Sequence, residues 1–244
     1  MTDYMVTEKH ERVAITRVPL DPKYKAAWDE TRAALVVNIP ALTHVFYSLM
    51  TPTDGEYMAV FTDHPAIPVA ATDGYNVILN PAKYFTEYDL DERVFILCHE
   101  ILHAVWNHCG LGHIWRTQGY LGYSDGKHYD YHHDLMNIAM DMVINDMLVQ
   151  SDFGKMPKNA CHDTSIGKAT DSVMDVYRTL YDMQARVLAR CPVLARASTC
   201  CWSRVRLMVA TPVPRLSSVT SASGRPRCKL ASSQRVCRAS CRRL

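Results

Sequence analysis

The sequence predicts an α+β fold, and three observations carry that expectation. Short segments rich in β-branched and aromatic residues crowd between residues 57 and 79. Beyond Asp89 the apolar residues fall instead in long runs of helical length. A few strands followed by several helices, without βαβ alternation, is the pattern of segregated α and β elements. Composition agrees with one packed domain plus an appendage in 244 residues, with 48% hydrophobic and 21% charged residues. That balance excludes wholesale disorder.

The elements follow in order. Residues 1–20 read as an irregular or short-strand lead-in. Residues 24–37 read as an amphipathic helix with Ala26, Trp28, Ala33, Leu35 and Val36 as partial core, stopped near Pro40. Residues 45–50 form a short apolar segment. Residues 57–62 (YMAVFT) and 75–79 (YNVIL) are strand candidates bounded by Asp54-Gly55, Asp73-Gly74 and Pro81. Residues 67–71 are a third, and Asp73-Gly74 can turn a hairpin. Asp89 followed three residues later by Glu92 has the form of a capping box. It predicts a helix over 90–109 with Gly110 as its stop. Residues 111–130, with four glycines, read as a loop. A second helix is expected over 131–150, a loop over 151–169, and a third helix from about Asp171 to Met183.

The net charge of +2 conceals a division. Residues 184–244 hold twelve Arg, one Lys and no acid, hence +13, while residues 1–183 hold 14 basic and 25 acidic residues, hence −11. Six of the nine Cys lie in the basic part, which has no His, Tyr or Phe. The expected division is therefore a domain over 1–183 and a tail over 184–244 outside the core. The tail reads as an unstructured basic arm or as the product of an altered reading frame, with a folded module as the third alternative. It has no C-x-x-C and so no zinc-module spacing. Cys98, Cys109 and Cys161 are scattered and form no disulfide framework. With the polar start MTDYMVTEKHER and no apolar run near about 18 residues, neither an export signal nor a membrane span is expected. The expected location is cytoplasmic.

The chemistry centres on His99-Glu100-Ile101-Leu102-His103. Histidines four apart sit one turn apart on one helix face, where both imidazoles can meet one Zn²⁺. Glu100 lies about 100° round the helix, within reach of a water activated by the ion, as general base. The flanking residues are apolar, and burying three ionisable groups there requires a reason. A third ligand is needed. On a continued helix His108 faces away from His103. His113 follows Gly110 and Gly112, where the chain can turn back. Six residues after His103 stands Cys109, so the metzincin spacing does not fit. The better candidate is Asp141. With Asp134, Asn137 and Asn145 it forms a narrow polar stripe on an otherwise apolar helix. Asn145, one turn on, can orient Asp141 or a ligating His.

The ordered set Thr72-Asp73-Gly74, Asn80-Pro81, His99-Glu100-His103, His108, Asn137-Ile138-Ala139, Asp141 and Asn145 resembles the metallopeptidase domain that precedes a von Willebrand A-like domain in bacterial and phage proteins. The resemblance covers residues 20–183. It implies a zincin-like fold, with a small sheet over the active-site helix and the following helix supplying a ligand. His108 belongs to that pattern without an evident role. The von Willebrand A-like partner domain is absent from this chain.

Together these readings give a zinc-dependent peptidase acting on a protein or peptide substrate. His99, His103 and Asp141 hold Zn²⁺ and Glu100 is the base. Tyr129, Tyr131, His132 and His133 are unranked candidates for stabilising the oxyanion. A non-catalytic, metal-stabilised binding module is the alternative. Nucleic-acid binding through the tail is a further one, opposed by the −11 body.

Overall fold

The structure is a computed structural model and describes residues 2–6, 12–53 and 55–190. Among these it has seven α-helices and small β-sheets. The lead-in is an antiparallel hairpin of β1 (Thr2–Val6) and β2 (Arg12–Thr16), with Asp3 opposite Ile15. Helix α1 (Pro22–Asn38) starts on Asp21, whose side chain accepts the Lys23 N–H, with Pro22 in the first turn, where a missing N–H costs nothing. A 3₁₀ turn leads into the short helix α2 (Thr43–Ser48).

The expected strand over 57–62 is two strands. The first, β4 (Glu56–Met58), pairs back onto β3 (Thr51–Thr53). The second, β5 (Val60–Phe61), joins a three-stranded sheet in the order β5-β7-β6, where β6 is Ala70–Thr72 and β7 is Val77–Leu79. Strand β7 is parallel to β5 and antiparallel to β6, with Thr72 opposite Val77. The tip is the expected Asp73-Gly74 turn. The Asp73 carboxylate accepts the N–H groups of Tyr75 and Asn76, and Gly74 takes φ +88°, which a Cβ would disfavour. Alternation along the strands splits the apolar residues between two faces. Phe61, Val77 and Leu79 join the main core, whereas Val60 and Ile78 pack with Ile15 of β2 and Ile67.

Helix α3 (Pro81–Glu87) leads to α4 (Leu90–Val105), which is central. Its capping box forms as expected. The Glu92 N–H donates to Asp89 Oδ1 at 2.9 Å, and the Asp89 N–H donates to Glu92 Oε2 at 3.2 Å. Val94, Phe95, Leu97, Cys98, Ile101 and Leu102 enter one core cluster with Trp28, Leu35 and Phe46. Each such side chain contributes about 1.5–3 kcal/mol by leaving water. Buried Arg93 ties α1 to α4 through Thr31 and Glu30, and its carbonyl accepts the Tyr84 hydroxyl.

The expectation of one helix to residue 109 is corrected here. Helix α4 ends at Val105, and Asn107 takes the left-handed conformation at φ 52°. Asn adopts that region more readily than most residues with a Cβ. A new helix, α5 (His108–Gln118), starts immediately and occupies the expected glycine-rich loop. Strands β8 (Tyr120–Gly122) and β9 (His128–Asp130) form a further hairpin. The expected second long helix is α6 (His133–Gln150), packed on α4 and on α7 (Val173–Arg190). Helix α7 thus runs seven residues past the expected stop at Met183, into the segment assigned to the tail. Residues 191–244, with the six tail cysteines, lie outside the described residues. Among the described residues no helix is long and apolar enough to cross a membrane.

The 151–172 loop is fastened to α4 and α6. Phe153 N–H donates to the Leu148 carbonyl and Lys155 N–H to the Asp91 carbonyl. Between them Gly154 sits at φ +80°, where a Cβ would lie 2.5 Å from the Asp91 oxygen. Buried Asp146 of α6 accepts the Ala169 N–H at 2.7 Å, Gln150 Nε2 at 2.6 Å and His162 Nε2 at 3.0 Å.

Candidate metal centre

The site lies where α4 crosses α6. His99 and His103 project from one face of α4, as their spacing requires, and their Nε2 atoms are 3.0 Å apart. From α6, Asp141 Oδ1 lies 3.1 Å from His103 Nε2 and 3.5 Å from His99 Nε2. These three residues are the group among the described residues that can hold a metal ion. The donor set can be tested against zinc directly. Nitrogen and oxygen ligands at 2.0–2.2 Å from a tetrahedral ion lie roughly 3.3–3.5 Å from one another. The observed separation of 3.5 Å lies in that range, and those of 3.0 and 3.1 Å are a few tenths of an ångström short of it. Two imidazole nitrogens facing each other across 3.0 Å, with a carboxylate oxygen against both, converge on the place a cation would take. Two imidazole nitrogens and one carboxylate oxygen are a donor set that could hold a metal ion.

The polar stripe on α6 runs from solvent inward. Asn137 is exposed and its Nδ2 donates to Asp141 Oδ2 at 3.2 Å, Asp141 is half-buried, and Asn145 is buried. Met140 and Met142, which flank Asp141 in the chain, are buried. Asn145 acts on His99 rather than on Asp141. Its Oδ1 is 2.8 Å from His99 Nδ1, while its Nδ2 donates to the Cys161 carbonyl at 2.8 Å and so fixes which way the amide faces.

Electrostatics follow from this packing. Burial disfavours a charge on His99, but the Asp141 carboxylate outweighs it and raises the His99 pKa to about 9. Burial likewise opposes ionisation of Asp141, but hydrogen bonds from His103 and His99 hold it ionised well below the usual carboxylate range. Glu100 is half-buried beside the pair. Burial raises its pKa against the pull of His99 and His103, with Asp141 adding to the rise. Among the described residues its carboxylate has no hydrogen-bond partner.

His108 departs from expectation. It does not face away from His103; its Nδ1 lies 3.0 Å from His103 Nδ1, and the ring is buried. The break at Asn107 is the cause, because the helix on which the expectation rested does not continue. It meets the nitrogen remote from Asp141, so it is not a third ligand. Burial first, then the neighbouring His103, lower its pKa to about 3. His113 is exposed on α5 and is not part of the ligand group. Of the oxyanion candidates, Tyr129 packs against Tyr123 and Tyr181, and the Tyr131 hydroxyl is 3.3 Å from His133 Nδ1.

Sequence reasoning missed the Asp146–His162 pair that secures the loop carrying Cys161. The signal for it was present, since Asp146 is a carboxylate on the apolar side of a buried helix and needed a partner.

No curated protein and no solved structure matches the chain. A family profile described as "putative metallopeptidase domain" matches residues 57–188, from β4 through most of α7 and including every residue of this site. With more than half of its length matched, the chain belongs to that family.

Proposed function

We propose that this domain is a zinc-dependent peptidase in which His99, His103 and Asp141 hold the ion and Glu100 is the general base. The observation that carries the reading is the convergence of three ligand atoms at 3.0–3.5 Å beside a carboxylate with no hydrogen-bond partner among the described residues. Zinc bound there supplies Lewis acidity toward water and toward a carbonyl oxygen. Glu100 takes a proton from the attacking water and returns it to the departing amine nitrogen. Burial suits it to that exchange, because a raised pKa brings a carboxylate closer to the pH at which it works. Asn145 holds the His99 ring so that Nε2 faces Asp141 and His103. The site also suits an extended peptide: β6, which packs on α4, is one of the two edge strands of its sheet and can pair with a substrate backbone.

The test is Glu100→Gln, which keeps the shape and removes the base. The variant retains zinc by metal analysis and loses hydrolysis of a fluorogenic peptide library by about 10²-fold or more. Retained hydrolysis sinks the mechanism. Lost zinc instead makes Glu100 a ligand. A wild-type protein that binds zinc and cleaves nothing in the library supports the binding-module alternative.

A further inference from the structure

The His103 ring is engaged at both nitrogens. Its Nε2 faces His99 Nε2 at 3.0 Å and Asp141 Oδ1 at 3.1 Å, and its Nδ1 faces His108 Nδ1 at 3.0 Å. Two imidazole nitrogens at hydrogen-bond distance share one hydrogen, so one ring donates and the other accepts. The direction is decided by the metal reading, on which this inference rests. A ligating nitrogen must be bare. A neutral His103 with bare Nε2 carries its proton on Nδ1 and therefore donates. His108 must then accept through a bare Nδ1 and carry its own proton on Nε2. The opposite direction would place the His103 proton on Nε2, between Asp141 and His99, and close the site.

We propose that His108 is a positioning residue: its Nδ1 accepts the Nδ1 proton of His103 and fixes that ring in the tautomer that leaves Nε2 open to metal. The backbone is built for this contact. Five residues of continuous α-helix would turn His108 about 140° from His103. The left-handed Asn107 ends that rotation and starts α5 on His108 itself, which brings the ring back onto His103. Trp106 packs against the His108 ring, with centroids 5.5 Å apart and planes at 60°.

The choice of acceptor sets the charge of the site. Ligating histidines commonly donate to a carboxylate or a backbone carbonyl. Here both lean on neutral side chains, His99 on Asn145 Oδ1 and His103 on His108 Nδ1. Asp141 is then the one formal negative charge in the ligand group. Orientation is supplied without further charge that would offset the cation.

The experiment uses the full chain and Zn²⁺ alone. His108→Leu fills the space without an acceptor. His108→Asn places Oδ1 where the imidazole Nδ1 was. Competition with a chromophoric chelator should show zinc affinity reduced about 10–100-fold in His108→Leu and restored to within about threefold of wild type in His108→Asn. Equal affinity in wild type and His108→Leu, or an equal loss in both variants, overturns the proposal. Long-range ¹H–¹⁵N spectra of the zinc-loaded wild type give an answer even where a variant fails to fold. They should show His108 protonated on Nε2 and His103 on Nδ1; a proton on His108 Nδ1 refutes the assignment. A wild type that takes up no zinc would instead defeat the metallopeptidase reading.

Discussion

Asp141→Ala is the most exacting test of the ligand set, because it removes the member that comes from a different helix. Asp141 Oδ1 is one of three converging atoms, 3.1 and 3.5 Å from the two imidazole nitrogens, and its carboxylate is the largest of the influences that raise the His99 pKa against burial. Four-ligand zinc sites bind with roughly 10–16 kcal/mol, or about 2.5–4 kcal/mol per ligand. At about 1.4 kcal/mol per decade, losing one ligand lowers zinc affinity roughly 10²–10³-fold. The assay is chelator competition on purified protein, with bound metal counted by elemental analysis. Asn137→Ala is the control. Asn137 is exposed and reaches only the other oxygen, Oδ2, at 3.2 Å, so its loss should change affinity by no more than about threefold. Wild-type affinity in Asp141→Ala, or equal losses in the two variants, would show that α6 does not ligate the ion.

The remaining tests probe what surrounds the ligands. Asn145→Ala leaves the His99 Nδ1 proton without its 2.8 Å acceptor, and zinc affinity by the same competition should fall about 10–100-fold. Because the His99 pKa stands at about 9 in the metal-free protein, zinc must displace its proton at neutral pH. Apparent affinity should rise between pH 7 and pH 9, with proton release measured by calorimetry in buffers of different ionisation enthalpy; a flat profile contradicts the His99–Asp141 coupling. The same raised pKa makes the metal-free protein's His99 contribution to stability complete below about pH 6.5, and it is lost as pH climbs through about 9. Gly154→Ala forces a Cβ to 2.5 Å from the Asp91 carbonyl at φ +80° and should cost at least about 2 kcal/mol, a fall in Tm of roughly 4–8 °C by calorimetry.

What the sequence disclosed depended on how local the responsible physics was. The capping box at Asp89 and Glu92, the Asp73-Gly74 turn and the four-residue spacing of His99 and His103 each act within one turn of chain, and each forms as read. Asp141 could be picked out because one carboxylate in a narrow polar stripe conflicts with the apolar rest of α6, and a conflict of that kind points across an interface. The miss at His108 shows the limit. Projecting the rotation of α4 past Val105 assumed an unbroken helix, whereas the left-handed residue Asn107 ends that rotation. Asn107 carries a weak local signal, since Asn tolerates the left-handed region, but Gly110 three residues on has the stronger claim as a stop. The extra turns of α7 were hidden similarly. The acidic residues end at Asp182, but helix propensity does not require charge, and Ala185, Leu188 and Ala189 all favour continuation.

The division of labour inside the site follows from partners rather than from residue types. Burying two histidines and two carboxylates between apolar helices is costly unless each is hydrogen-bonded or paired. His99 has Asn145, His103 has His108, and Asp141 has both histidines and Asn137. Those ties hold three groups in fixed orientations, which is what a ligand requires. Among the described residues Glu100 has no such tie, and burial raises its pKa. A carboxylate that must accept a proton and then surrender it gains from the absence of a partner, because any fixed donor would stabilise its ionised form and weaken it as a base. A closed structural metal site has no use for that fourth group. Its retention, half-buried and one residue from a ligand, is the feature of this domain that a purely structural metal does not explain.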